Sequence, residues 1–386
     1  MANKTTKDSG VTIDTHNKMD IESLEKLIKT NAKTLIDHPE LAMEIPALLV
    51  HSSPGLGKSS LVKQITEELG IGFRDIRLCE LESVDIKGLP SVNSENGTMK
   101  FNTPDFWPTE KDEPAGILFL DELTNAPRDV QNACYELILD RKIGTEYKLP
   151  NSWSIVACGN LTTDRSGVVT MSSALSNRFL HVELQADAEA WCKWAQVNNI
   201  NPSIIGFIRW RPEMLFRMEG ENLERGWPSP RSWARVSRMI DIYGSGDESL
   251  LRKIIFGLIG NRAGIEFMEF YKINSNFNDV LKMMLNPDTI EIPEKLDRKW
   301  AMCSSVSYLL WRGKDEEDQK KRLDGFFEIC MKLTSDFASM LMVSAMYGID
   351  KSKGAQYCST LYKHPKYKAF SEKHGKALRK RMSVNI

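Results

Sequence analysis

Between about residues 46 and 185, short apolar stretches alternate with segments of helical periodicity. The apolar stretches are Ala47–His51, Gly72–Leu78, Ile117–Leu120, Ser154–Cys158 and Leu180–Leu184. A continuous run such as Ile117-Leu118-Phe119-Leu120 suits a strand covered on both faces. After the first stretch, Leu61, Val62, Ile65 and Leu69 recur at helical spacing, and Gly70 can close that helix. Strand and helix in repetition predict an α/β domain with a largely parallel sheet. From about residue 187 the strand signal stops. Helical segments rich in Trp, Met, Phe and Leu take over, broken at Trp227-Pro228-Ser229-Pro230 and Gly244-Ser245-Gly246. The pattern predicts a polar, disordered segment at 1–20 and an α/β domain at 21–186. A helical lid over 187–273 and a helical extension over 274–386 follow it. No internal repeat is visible.

Composition narrows the class without naming it. Charged residues make up 27% and hydrophobic residues 41% of the 386, and the net charge is −1. That is ordinary globular chemistry, with no global field aimed at nucleic acid or membrane. No run approaches the roughly 20 apolar residues of a membrane helix. The seven cysteines are scattered and never form CxxC, which predicts free thiols in a reducing, cytoplasmic compartment. The six histidines are equally dispersed, so a metal cage made by the protein alone is not expected.

The chemistry concentrates where strands end. His51 is followed by Ser52-Ser53-Pro54-Gly55-Leu56-Gly57-Lys58-Ser59-Ser60, between a strand and a helix. Glycines there let backbone N–H groups turn around phosphates, and the helix N-terminus adds partial positive charge. Lys58 can reach the β- and γ-phosphates and the Ser59 hydroxyl can ligate Mg²⁺. Ser52 stands where GxxxxGK[ST] has its first glycine. A second strand ends in Asp121-Glu122, placing two carboxylates at the carboxyl edge of the sheet. Asp121 can hold Mg²⁺ through water, and Glu122 can polarise the attacking water. A third strand ends in Asn160, whose amide could orient that water. Arg178 precedes the last strand and Arg231 opens a lid helix. Either arginine taken alone reads equally well as a surface residue. The order of all five elements favours a nucleotide site.

Phosphate loop, Asp-Glu strand, strand-terminal Asn160, Asn177-Arg178-Phe179 and Pro230-Arg231 together resemble the AAA+ ATPases, and among them the MoxR-like family. Asp121-Glu122-Leu123-Thr124-Asn125-Ala126-Pro127 is similar to that family's DE(I/L)NxAP stretch, shifted by one residue at the Asn. Val84–Gly88 to Phe101 resembles its helix-2 insert, and Arg141–Gly144 through Pro150 its next hairpin. Trp227–Ser237 and Gly257–Gly260 are similar to the lid of members paired with von Willebrand A-type proteins. The resemblance spans roughly 40–273.

It implies a five-stranded sheet of order 5-1-4-3-2, with ATP held by Ser53 to Ser60, Asp121 and Arg231. Mg²⁺ would lie on Ser59 and Asp121, and Glu122 would be the catalytic base. Asn160 would be sensor 1 and Arg231 sensor 2. Arg178 would be a finger entering a neighbour's site, with Arg165 the alternative. A finger in trans implies a ring, by family precedent a hexamer. The function implied is a protein-remodelling motor acting with a protein partner, such as a separate von Willebrand A-type protein, in metal insertion or complex maturation.

The competing reading is a nucleic-acid motor. Segment 361–386 carries eight Lys/Arg against Glu372 alone, a local charge of +7, with Tyr362, Tyr367 and Phe370 interleaved. Against it, Tyr367, Phe370, His374 and Leu378 draw an apolar stripe that could pack on a ring or a protein partner. A third reading, a structural subunit with incidental hydrolysis, sits poorly with an intact Glu122.

Overall fold

The computed structural model describes residues 17–92, 98–111, 113–161, 169–218, 226–244, 246–274 and 277–383. The chain divides into two compact units, Met1–Ala186 and Asp187–Ile386.

Among the described residues of the first unit, ten strands form one large sheet and two hairpins. The strands are β1 (Lys18–Met19), β2 (Ala47–His51), β3 (Gly72–Arg77), β4 (Leu89–Val92), β5 (Met99–Asn102), β6 (Gly116–Asp121), β7 (Lys142–Ile143), β8 (Tyr147–Lys148), β9 (Trp153–Gly159) and β10 (Phe179–Leu184). The large sheet runs β1-β10-β2-β9-β6-β3 and is parallel throughout. The five expected strands lie in the expected order. The sheet has six strands and not five, because β1 adds an edge beside β10. This also corrects the disordered 1–20 segment. Asn17 to Asp20 are placed, with the Asn17 carbonyl accepting from Glu183 N and the Met19 carbonyl from Gln185 N. Residues 1–16 lie outside the described part.

The helices of this unit are α1 (Ile21–Asp37), α2 (Lys58–Leu69), α3 (Ser83–Lys87), α4 (Arg128–Ala133), α5 (Tyr135–Asp140) and α6 (Ser173–Ser176). In α1 the buried residues Leu24, Ile28, Ala32 and Leu35 recur at three to four, one stripe facing the sheet. Its start is fixed by the Asp20 carboxylate, which accepts from Ser23 N at 2.7 Å. β6 is buried along its apolar length, as a central parallel strand requires. The β4–β5 hairpin differs. Leu89, Val92, Met99 and Phe101 are all exposed on it.

The second unit spans both of the helical segments that the sequence pattern separates, 187–273 and 274–386. Its helices are α7 (Ala188–Val197), α8 (Pro202–Trp210), α9 (Pro230–Tyr243), α10 (Glu248–Asn274), α11 (Phe277–Leu285), α12 (Leu296–Leu310), α13 (Glu316–Lys332), α14 (Ser335–Tyr347), α15 (Gly354–Lys363) and α16 (Tyr367–Ser383). α9 opens on a reciprocal cap, Ser229 with Ser232, and has Pro230 in its first turn. α10 bends at Gly260, whose φ of 76° is outside helical space. One aromatic core gathers Phe207, Trp233, Phe267 and Phe270. A second gathers Phe326, Phe327 and Phe370. Phe370, His374 and Leu378 of α16 are buried, so the apolar stripe of the basic segment is used within this chain. It is not left free for a ring or a partner.

Candidate nucleotide site

The phosphate loop turns at Gly55 and Gly57, with φ of 87° and 88°. Only glycine takes that conformation without strain, and turns of this kind let a loop's N–H groups close around an anion. Ser52 is fully buried and its N–H donates to the Gly159 carbonyl at 3.1 Å, tying the loop to the end of β9. Lys58 Nζ donates to the Ser52 carbonyl at 3.0 Å and to Ser52 Oγ at 2.9 Å. The residue that departs from the glycine pattern therefore holds the lysine over the loop. Lys58 begins α2, with Ser59 half-buried and Ser60 exposed behind it. Ser53 and Leu56 are buried and Pro54 is half-buried in the same turn.

Asp121 ends β6 next to this loop. Its Oδ1 accepts from Glu122 N at 3.0 Å. Burial pushes its carboxyl above the usual range, against the pull of the Glu122 N–H and of Lys58. Asp75 on the neighbouring strand is pushed up by burial and by Asp121. Two carboxyl groups whose charge burial disfavours, on neighbouring strands, suit a divalent cation. Among the described residues no three His, Cys, Asp or Glu form a cage. A Mg²⁺ ion here would thus rely on Ser59, Asp121 and the phosphates of its substrate.

Glu122 sits at φ 56°, the left-handed region rarely taken by a side chain with Cβ. Its Oε2 accepts from Cys79 Sγ at 2.7 Å. Burial and Glu122 push the Cys79 thiol up to about 11, so it stays protonated and donates. Sequence reading missed Cys79. It lies just past β3, and only the pairing of Arg77 with Asp121 brings it to Glu122. The thiol positions the carboxylate, so Cys79→Ala should lower kcat roughly fivefold with KM unmoved, as for loss of about 1 kcal/mol. Cys79→Ser should restore it. Steady-state kinetics check this; an unchanged kcat in Cys79→Ala would make the thiol a bystander.

Asn160 is held from two sides. Its N–H donates to Thr124 Oγ1 at 2.9 Å and its Nδ2 to Asn125 Oδ1 at 3.1 Å. The one-residue shift of Asn125 in the Asp121–Pro127 stretch thus still supports the strand-terminal amide. Gly159 is needed for this approach, because a Cβ there would meet Thr124 Cγ2 at 2.3 Å.

His51 closes β2 and stacks on His181 of β10, with 2.9 Å between His51 Nε2 and His181 Nδ1. His181 Nε2 lies 2.8 Å from the Ser176 carbonyl, which can only accept. His181 therefore carries its proton on Nε2, and His51 donates to Nδ1. Burial, His181 and Lys58 push His51 down to about 4. A histidine depressed on folding contributes stability above its unfolded value of about 6.5, and loses it as pH falls toward the folded value. Discounted for partial exposure, the loss is about 2 kcal/mol. Thermal melts from pH 6.5 to 4.5 should fall more steeply in the unmodified chain than in His51→Gln. Parallel slopes would remove the histidine pair from the pH response.

The structure brings Ser53 to Ser60, Asp121, Glu122 and Asn160 to one sheet edge. Arg178 is elsewhere. It precedes Phe179, which pairs with Ala47 at the start of β2, while the phosphate loop follows His51 at its end. At about 3.3 Å per residue the two edges are roughly 13 Å apart along the strands. Arg178 Nη2 donates to Tyr135 Oη at 3.0 Å, its guanidinium over that ring. Arg231 is exposed in the first turn of α9. Arg165 lies outside the described residues.

Residues 47–181 match the model of the ATPase family associated with various cellular activities (AAA). No curated protein matches the chain. Among solved structures, a candidate ATPase from Cytophaga hutchinsonii ATCC 33406 is 16% identical, over 78% of this chain and 87% of that one, with a TM-score of 0.31. The Holliday junction branch migration motor RuvB of Thermotoga maritima is 18% identical, over 76% and 88%, with a TM-score of 0.35. The family match coincides with the phosphate loop, the Asp-Glu strand and the strand-terminal Asn160. This part of the chain is an ATP-hydrolysing α/β module. AAA ATPases bind ATP, typically with Mg²⁺, and commonly assemble into rings. No helix among the described residues is long and apolar enough to cross a membrane.

Proposed function

We propose that the chain is a protein-remodelling motor of the MoxR-like kind, hydrolysing ATP at the interfaces of a ring, by family precedent a hexamer. The observation that carries the shared site is the placement of Arg178 at the sheet edge opposite Lys58. From there its guanidinium serves a neighbour's phosphates and not its own. Within one subunit, Lys58 and the N–H groups of the loop bind the phosphates. Ser59 and Asp121 hold Mg²⁺, which supplies charge neutralisation on the phosphate oxygens when bound. Glu122 takes the proton of the attacking water, Asn160 orients that water, and Arg178 of the adjacent copy stabilises the charge that develops. Arg231 keeps the role of phosphate sensor on the lid.

The exposed β4–β5 hairpin supports a protein partner. Four large apolar side chains there face solvent, the kind of surface that takes up another protein and not a phosphate backbone. A von Willebrand A-type protein is the partner family precedent suggests, in metal insertion or complex maturation. Glu122→Gln with ATP should trap that partner in a pull-down, and Leu89→Ser with Met99→Ser in the same background should release it. Capture that ignores the hairpin would sink this part of the proposal.

The basic segment favours a second reading, nucleic acid. Phe370 is buried in its own core and cannot stack on bases, which leaves Tyr362 as the exposed ring. Phosphate contacts alone would bind weakly, without sequence preference and steeply with salt. Titrating the full chain with single-stranded DNA at two salt concentrations decides it, with Lys376, Arg379 and Lys380 changed to Gln as the control. Truncation is unsuitable, since Leu361 and Leu378 also sit in the core.

A further inference from the structure

Tyr135 opens α5 and Arg178 precedes β10, and the two elements share one core. Leu137 and Ile138 of α5, Leu175 of α6 and Phe179 of β10 are buried in it, and Tyr135 packs against it. α5 is also pinned at its far end. Arg141, 4% exposed in left-handed backbone at φ 54°, donates from Nη2 to the Pro150 and Trp153 carbonyls. On the other side the Arg178 N–H donates to the Leu175 carbonyl at 3.1 Å, and Phe179 pairs with Ala47. Between these two anchored backbones, Arg178 Nη2 donates to Tyr135 Oη at 3.0 Å, and the guanidinium carbon lies 5.6 Å from the centre of the ring. Both contacts are with a neutral group. Among the described residues Arg178 has no carboxylate partner. Glu136, next to Tyr135 in sequence, is taken by the Gly144 N–H at 2.9 Å and by Lys142 at 3.6 Å.

A free arginine side chain samples many rotamers, and ordering it at the moment of reaction costs entropy. A carboxylate would order it but would also offset the charge that a phosphate draws on. A phenol does the first without the second. Its hydroxyl accepts from one of the guanidinium's five N–H donors, and its ring face attracts the cation without cancelling its charge. We infer, on the reading that Arg178 acts in trans, that Tyr135 is its positioning residue, ordering the guanidinium without neutralising it before a neighbour's nucleotide arrives. Arg178 meets the neighbour's phosphates, and Tyr135 acts only through Arg178.

The test mixes two full-length chains, one with Lys58→Ala to supply only the arginine, the other with Arg178→Ala to supply only the phosphate loop. Tyr135→Phe keeps the ring and removes the hydroxyl. Placed in the Lys58→Ala chain, it should lower the recovered kcat about fivefold with the KM for ATP unmoved. Tyr135→Leu in that chain, which removes the ring as well, should lower it roughly 30-fold. If Tyr135→Leu does not fold, Tyr135→Phe alone decides. Placed in the Arg178→Ala chain, either change has no guanidinium to misplace, and recovery should match the mixture with Tyr135 intact. A merely structural role would reduce recovery from either chain. Equal losses in the two placements, or no loss in either, overturn the assignment. No recovery with Tyr135 intact takes down the in-trans reading of Arg178 first, and the role of Tyr135 with it.

Discussion

Replacing Glu122 by Gln should leave a chain that binds ATP and hydrolyses it at least about 100-fold more slowly. The amide keeps the volume of the carboxylate, and its oxygen can still accept from the Cys79 thiol. What is lost is a group that can take a proton from water. Binding is expected to rest on other atoms: the loop N–H groups and Lys58, which Ser52 anchors. Lys58→Ala should therefore weaken nucleotide binding itself. Equilibrium binding of a fluorescent ATP analogue and single-turnover hydrolysis separate the two effects. A Glu122→Gln chain that turns over at the unmodified rate would remove Glu122 from the chemistry.

Arg178→Ala should cost a factor of about 10³ in turnover, the low end for an arginine finger. The sharper experiment mixes subunits. Arg178→Ala and Lys58→Ala chains should each be inactive alone, but some mixed interfaces would pair an intact loop with an intact arginine. Activity should partly return on mixing. The sheet geometry demands this form of test, because Arg178 and the phosphate loop lie at opposite ends of adjacent strands. Mixed rings that stay inactive would move the finger to Arg165 or take it out of the mechanism.

Most of the large sheet was legible because its strands are apolar runs, and an apolar run needs no partner to be noticed. β1 was not. Lys18 and Met19 are half-exposed or exposed, and they are a strand only because Glu183 and Leu184 lie beside them. The phosphate loop and Asp121-Glu122 were legible for the same local reason, as contiguous residues at strand ends. Cys79 on Glu122, His51 on His181 and Asn125 on Asn160 come from the lateral order of strands, which residue spacing does not encode. Arg141 was hidden differently: an arginine reads as surface, and nothing near it in sequence announces that it is buried. The stripe on α16 was read correctly as apolar, but its partner proved to be this chain's own core.

Glu122 is bound to a backbone conformation that glycine or asparagine would occupy more comfortably. Left-handed backbone costs an ordinary side chain on the order of 1 kcal/mol. A library of variants ranked only by melting temperature would thus enrich Gly or Asn at this position and discard the base. Evolutionary retention of glutamate here would be selection against the fold's own preference. The most robust form of this chain would be one that holds ATP and cannot spend it.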